Sequence, residues 1–238
     1  MPPQMLPPWG LDRSDAREGV DGQFAYNRTG VGVHVFVLDT GLYGGHSDFD
    51  RRLGQGTSVL DPKQPWQDCD GHGTHVAGTV AGRVHGMAKE ATLHSVKVMG
   101  GSCPTPSIDN RSAATTPARG MDDVFAESTE GSKGSAGTVS AGLQWVREQT
   151  QLRPAVALVC LGGDRSKTVD TAVVNLVHAG VVVVAAAGNR NGSEPNTAID
   201  AQPAPTRHCS PGQPAPGTLT TLTSSQPPTT LQQASPGR

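Results

Sequence analysis

Asp70-Gly71-His72-Gly73-Thr74-His75-Val76-Ala77-Gly78-Thr79-Val80-Ala81-Gly82 is the stretch around which the rest of the chain is arranged. Its glycines let the backbone come close to a neighbour, and its second half is small and apolar, as a tightly packed helix needs. The two histidines stand three apart, near one face of that helix. Upstream, Val33-His34-Val35-Phe36-Val37-Leu38-Asp39-Thr40-Gly41 is a β-rich apolar run that ends on a carboxylate and a glycine turn. Downstream, Val181-Val182-Val183-Val184-Ala185-Ala186-Ala187-Gly188-Asn189 is a second such run, ending on a side-chain amide. Continuous β-branched residues without polar alternation suit strands covered on both faces, the parallel-sheet case. Residues 91–99 and 156–161 read as further strands, and residues 169–179 show helical spacing with Gly180 as a stop. Alternating strands and helices predict an α/β fold, a doubly wound and mostly parallel sheet with its ligand cleft at the carboxyl ends of the strands. Asp39 and Asn189 both fall just past such ends.

Composition bounds the function. The chain has 238 residues, enough for one domain with a sizeable core. Its 30 glycines and 19 prolines imply tight turns together with unstructured tracts. A formal net charge of −2 gives no electrostatic case for nucleic acid or an acidic membrane surface, and no apolar run is long enough to span a bilayer. The first eight residues lack the basic and apolar regions of a secretory signal and are expected to be disordered. Residues 100–133 are polar and without sustained periodicity. They read as an irregular insertion, either disordered or the translation of non-coding sequence. Residues 192–238 form Pro/Ser/Thr/Gln tracts with little to bury, a composition that favours disorder.

The Asp39-Thr40-Gly41, His72–Thr79 and Ala185–Asn189 blocks, in this order, resemble the subtilisin-like serine peptidases, and among them the proteinase K-like branch. The resemblance covers residues 9–191, so the fold it implies is a partial subtilisin-like domain, incomplete at the C-terminus. It implies a serine-type endopeptidase that hydrolyses polypeptide substrates through an Asp-His-Ser triad. A triad needs a nucleophile, a base to take its proton and a carboxylate to hold the base's tautomer. The resemblance gives His72 the part of general base and then acid, Asp39 that of orienting carboxylate, and Asn189 that of donor to the oxyanion. Taken singly, each has a plainer reading: a turn-forming Asp, a helix-capping His, a left-handed Asn. His75 is expected to pack within the helix.

The same resemblance places one edge of a peptide-binding groove at Gly134, Ser135 and Gly137, and the other at Leu161, Gly162 and Gly163. The alternative for the latter is an ordinary strand-ending turn. It also implies calcium ligands at Asp12, Asp15 and Asp21, as a structural ion with no part in catalysis; the alternative is a solvated acidic turn paired with Arg13 and Arg17. Cys69 and Cys103 sit near positions that form a disulfide in some relatives, and two free thiols are the other reading. Secretion, or a secretory or vacuolar compartment, and an inhibitory pro-segment not present in this chain are implied in the same way.

The family's Gly-Thr-Ser-Met-Ala block, which carries the nucleophile, does not occur in the 238 residues. No serine of the tail, from Ser193 to Ser235, has those surroundings. The chain alone is therefore expected not to turn over peptides. Two different expectations stand beside this one: a non-catalytic relative that binds peptide in the remaining groove, and a truncated gene product. A zinc site of Cys69, His72 and His75, with Asp39 as a further ligand, is a weaker competitor. Helical zinc motifs place their histidines four apart, not three.

Overall fold

The computed structural model describes residues 1–100, 134–149, 151–163, 166–186 and 220–222. In chain order its elements are Gln4–Met5 (β1), Trp9–Ser14 (α1), Gln23–Phe24 (β2), His34–Asp39 (β3), Thr57–Ser58 (β4), His72–Ala81 (α2), Thr92–Lys97 (β5), Ala136–Glu148 (α3), Ala155–Val159 (β6), Lys167–His178 (α4), Val182–Ala186 (β7) and Thr220–Leu222 (β8).

The apolar run around Phe36 becomes the inner strand β3, and its last five residues are buried. It pairs in parallel with β5 on one side and β6 on the other, Leu38 standing between Val96 and Val159. The whole sheet is parallel, in the order β4-β5-β3-β6-β7-β8. Alternate side chains of β3 serve opposite layers. Phe36 and Leu38 pack with Leu143, Val146, Val173 and Leu176 under α3 and α4. Val35 and Val37 pack with Ala77 and Ala81 of α2. Each such side chain, fully buried, contributes about 1.5–3 kcal/mol. Helices on both faces make the fold doubly wound, as the alternation of strands and helices predicts.

The chain runs from β3 to β5 on one side, then crosses by α3 to β6 on the other. The order reverses at β3, and in open α/β sheets ligands bind in the crevice outside the strand ends at such a point. Asp39 is the last residue of β3.

Several expectations are corrected. Residues 1–8 are not wholly irregular: β1 pairs antiparallel with β2, and the Gln4 amide donates to Val84 O at 3.0 Å. Thr220–Leu222 lie in the tail expected to be disordered, yet they pair in parallel with β7. Backbone pairing to an open strand edge needs no hydrophobic pattern, so composition did not show it. His75 is exposed rather than packed. Cys69 is disulfide-bonded, which sets aside both the free-thiol reading for that residue and the zinc site built on it. The irregular stretch at 101–133, Cys103, Asn189 and most of the tail lie outside the described residues.

On the face of the sheet opposite α2, His94 of β5 is 1% exposed and stacks on Phe36 with ring centres 4.4 Å apart. Its Nδ1 lies 2.9 Å from Gln55 O, and its Nε2 lies 2.9 Å from Nδ1 of His34. A carbonyl only accepts, so His94 carries its proton on Nδ1 and accepts at Nε2 from His34. Burial pushes its pKa down to about 4.

Candidate active site

Helix α2 opens on His72 directly above the end of β3. Its first turn is satisfied by side chains from outside the helix, because the first N–H groups of any helix lack intrahelical partners. The N–H of His72 donates to Asp70 Oδ1 at 3.3 Å, that of Gly73 to Thr40 Oγ1 at 2.9 Å, and that of Thr74 to Asp68 Oδ2 at 2.9 Å. The residue before the helix, Gly71, adopts a φ of 95°, a conformation that glycine takes without strain.

Close approach then brings the carboxylate and the imidazole together. His72 Nδ1 stands 2.7 Å from Asp39 Oδ1, with Asp39 wholly buried and the His72 side chain 29% exposed. A carboxylate only accepts, so Nδ1 carries the proton and the lone pair of the neutral ring sits on Nε2. Asp39 Oδ1 accepts also from the N–H of Thr40 at 2.7 Å. The hydrogen bond to Asp39 raises the pKa of His72 above its ordinary 6.5, helped by the charges of Asp39, Asp70 and Asp68 and opposed by burial.

The sign follows from linkage. A raised folded-state pKa stabilises the fold fully below 6.5, and this contribution is lost as pH rises through the folded value. We expect NMR titration to give His72 a midpoint above 6.5, and Asp39→Asn to bring it down, since the amide carries no charge. An unchanged midpoint in Asp39→Asn would break the pairing.

The expected groove edges lie on either side of this pair. Gly134 packs against Met99 and Val98 beyond β5, where an added Cβ would lie 2.9 Å from Met99 Cβ. Ser135 caps α3, accepting from the N–H of Thr138 at 3.1 Å, and Gly137 is exposed in the first turn. Leu161, Gly162 and Gly163 follow β6, with Leu161 packed on the core and both glycines exposed. β5 and β6 flank β3, and the contact of Gly134 with Val98 and Met99 and the position of Leu161 just after β6 put both segments at the rim that holds Asp39.

The expected calcium ligands do not gather. Asp12 Oδ1 accepts from the N–H of Asp21 at 2.9 Å and Asp12 Oδ2 from that of Gly22 at 3.0 Å. Asp15 accepts from the N–H of Ala25, and Asp21 from that of Gln23 at 2.9 Å. Asp12 and Asp15 thus tie α1 to the segment around residues 21–25, Asp21 fastens its own turn, and no cluster of three metal-binding side chains occurs among the described residues.

Thr40 and Asp68 were not singled out from the sequence. The signal that could have found them is residue type: a Thr behind a strand-ending Asp, and an Asp four residues before a helix start, are both ordinary helix-capping residues.

Fold and site together define a doubly wound α/β domain with a carboxylate–imidazole pair at its topological switch point. The profile of the subtilase family matches residues 30–225, and the chain belongs to that family. The match continues past residue 191, where the sequence resemblance was expected to stop. Over 184 residues the chain is 43% identical to the extracellular serine proteinase of Thermus sp. (strain Rt41A), covering 77% of this chain and 38% of that protein. It is 36% identical over 184 residues to the alkaline serine exoprotease A of Vibrio alginolyticus, covering 77% and 29%. A crystal structure of a cold adapted subtilisin-like serine proteinase superposes with a TM-score of 0.62 at 33% identity, covering 78% of this chain and 57% of that one. The chain thus spans less than half the length of these two sequence relatives.

Proposed function

We propose that this chain carries the Asp–His part of a serine endopeptidase acting on polypeptides, with the nucleophile supplied by a segment outside the 238 residues. The observation that carries it is the 2.7 Å bond from His72 Nδ1 to a fully buried Asp39. In this reading Asp39 holds the imidazole with its proton on Nδ1, and Nε2 takes the proton of a serine hydroxyl as that oxygen attacks the scissile carbonyl. The same nitrogen then returns the proton to the leaving amine. Asn189 donates to the oxyanion, a contribution of about 3–4 kcal/mol in such sites. The substrate lies extended between Gly134, Ser135 and Gly137 on one side and Leu161, Gly162 and Gly163 on the other, adding backbone hydrogen bonds as a strand would. The chemistry calls on no cofactor. Secretion is part of the proposal, by likeness to the Thermus relative that is named as extracellular, and so is an inhibitory pro-segment.

The test has two arms. The purified chain is expected to show neither acyl-enzyme labelling by a fluorophosphonate probe nor peptide hydrolysis. Co-expressed with the C-terminal part of the Thermus relative that bears its nucleophile, it is expected to hydrolyse peptides, and His72→Ala in this chain is expected to abolish that activity. Labelling of the chain alone would overturn the missing-nucleophile reading. Activity indifferent to His72→Ala would overturn the role of the pair.

A further inference from the structure

Two residues outside the Asp–His pair tie its halves to each other. Asp39 belongs to β3 and His72 to α2, and 32 residues of connection separate them. Between the two segments the structure places Asp68, whose carboxylate accepts five hydrogen bonds. Its Oδ1 takes the hydroxyl of Thr40 at 2.9 Å and the N–H groups of Asp70 and Gly71 at 3.2 and 2.9 Å. Its Oδ2 takes the N–H of Thr74 at 2.9 Å and the Thr74 hydroxyl. Thr40, 3% exposed, is the other half of the clamp. Its N–H donates to Asp39 Oδ1 at 2.7 Å, its hydroxyl donates to Asp68, and the same hydroxyl oxygen accepts from the N–H of Gly73 at 2.9 Å. The segment that ends β3 and the segment that starts α2 are thus bonded through the Thr40 hydroxyl, which reaches both Asp68 and Gly73, one residue from Asp39 and one from His72. Lys97, buried at the end of β5, adds a bond to Gln67 O at 3.0 Å and fixes the chain just before Asp68.

We propose that Asp68 and Thr40 are positioning residues of the Asp–His pair, acting as a clamp that sets the distance and angle between the Asp39 carboxylate and the His72 ring. This rests on the reading of that pair given above and adds residues to it. A carboxylate fits the task because it can accept several hydrogen bonds at once, and a hydroxyl because it can donate to one segment while accepting from the other. A hydrogen bond between charged partners is sensitive to both distance and angle, so a loosened helix start weakens the bond at His72 without removing any group from it.

A helix cap with no positioning role would also stabilise the fold, so stability cannot test the proposal. The readout is the His72 titration midpoint and its Nδ1–H resonance, followed by NMR in the full chain and assigned by the signals lost in His72→Gln. Asp68→Asn removes a charge as well as acceptors, and the lost charge alone would lower the midpoint. The deciding variants keep the charge. Thr40→Val removes the hydroxyl only, and Asp68→Glu moves the carboxylate by one methylene. Both are expected to lower the His72 midpoint toward 6.5 and to shift or broaden the Nδ1–H resonance, whereas Thr40→Ser restores the wild-type values. If Thr40→Val does not fold, Asp68→Glu decides by the same readout, and the reverse holds. A raised wild-type midpoint that stays unmoved in folded Thr40→Val or Asp68→Glu would overturn the clamp alone. A wild-type midpoint that is not raised would overturn the Asp–His pairing and the clamp with it.

Discussion

Replacing Gly73 by alanine is expected to cost about 3 kcal/mol of stability and to separate His72 from Asp39. By propensity alone the change should help, because alanine in a helix is about 1 kcal/mol better than glycine. Packing reverses the sign. A Cβ on Gly73 would sit 2.1 Å from the carbonyl oxygen of Gly41 and 3.0 and 3.2 Å from Cβ and Oδ1 of Asp39. The first contact is with backbone, which cannot rotate away. Gly41 is itself held at a φ of +116°, with Gln67 O 2.2 Å from where its own Cβ would be. Relief must come from α2 moving off the end of β3, and overpacking of this kind typically costs 1–3 kcal/mol. Urea unfolding checks the stability, and the His72 titration checks the separation. Gly78 in the same helix supplies the control: nothing lies within 4 Å of its added Cβ, so Gly78→Ala is expected to leave stability unchanged or raise it by about 1 kcal/mol. If Gly73→Ala behaved like Gly78→Ala, the close packing of α2 on β3 would be refuted.

Acid is expected to cost the fold a further 3 kcal/mol or so through His94 alone. Its pKa is about 4 in the fold against an ordinary 6.5. Between these values the unfolded chain binds a proton that the folded chain does not, so stability falls as pH drops. The contribution is fully present above 6.5 and fully lost below about 4. The shift corresponds to about 3 kcal/mol at 1.36 kcal/mol per pH unit. Burial is the leading cause and the neighbouring His34 adds to it, while the bond to Gln55 O opposes. Protonating His94 at Nε2 would also turn the acceptor for His34 into a donor and break the imidazole pair. Urea unfolding from pH 7 to 4 measures this. His94→Phe should be less stable at pH 7, because it leaves Gln55 O and His34 Nδ1 without their partner. Its stability should nevertheless fall by about 3 kcal/mol less over that range. Equal acid slopes in the two chains would sink the assignment.

Much of the site was legible before any coordinates. Asp39 could be placed at a strand end because the run before it is continuously apolar, and His72 at a helix start because glycines precede and small residues follow it. The layer to which each residue of β3 turns also follows from a period of two. Other features left no local trace. His34 and His94 are 60 residues apart, and neither sits in a pattern that marks a buried imidazole pair. Thr40 and Asp68 are 28 apart, and each alone looks like an ordinary turn residue. His75 shares a motif with His72 and lies near the same helix face, yet it is exposed, which the motif does not show. The three N-terminal aspartates allow two readings from sequence, because carboxylates at close spacing suit a turn or an ion. The structure shows which backbone N–H groups each of them holds.

Residue order alone was enough to specify alternating strands and helices, a sheet covered on both faces, and the kinds of chemical group at its rim. Those are properties of hydrophobic period and residue type, which are local and survive small errors in placement. Whether a carboxylate and an imidazole stand 2.7 Å apart, or whether three aspartates converge on an ion, is a matter of fractions of an ångström. Such distances are set by how β3 packs against α2 through Gly73 and by what Thr40 and Asp68 hold in place. No local preference encodes them, because a hydrogen bond between distant segments forms only once the whole layer has settled.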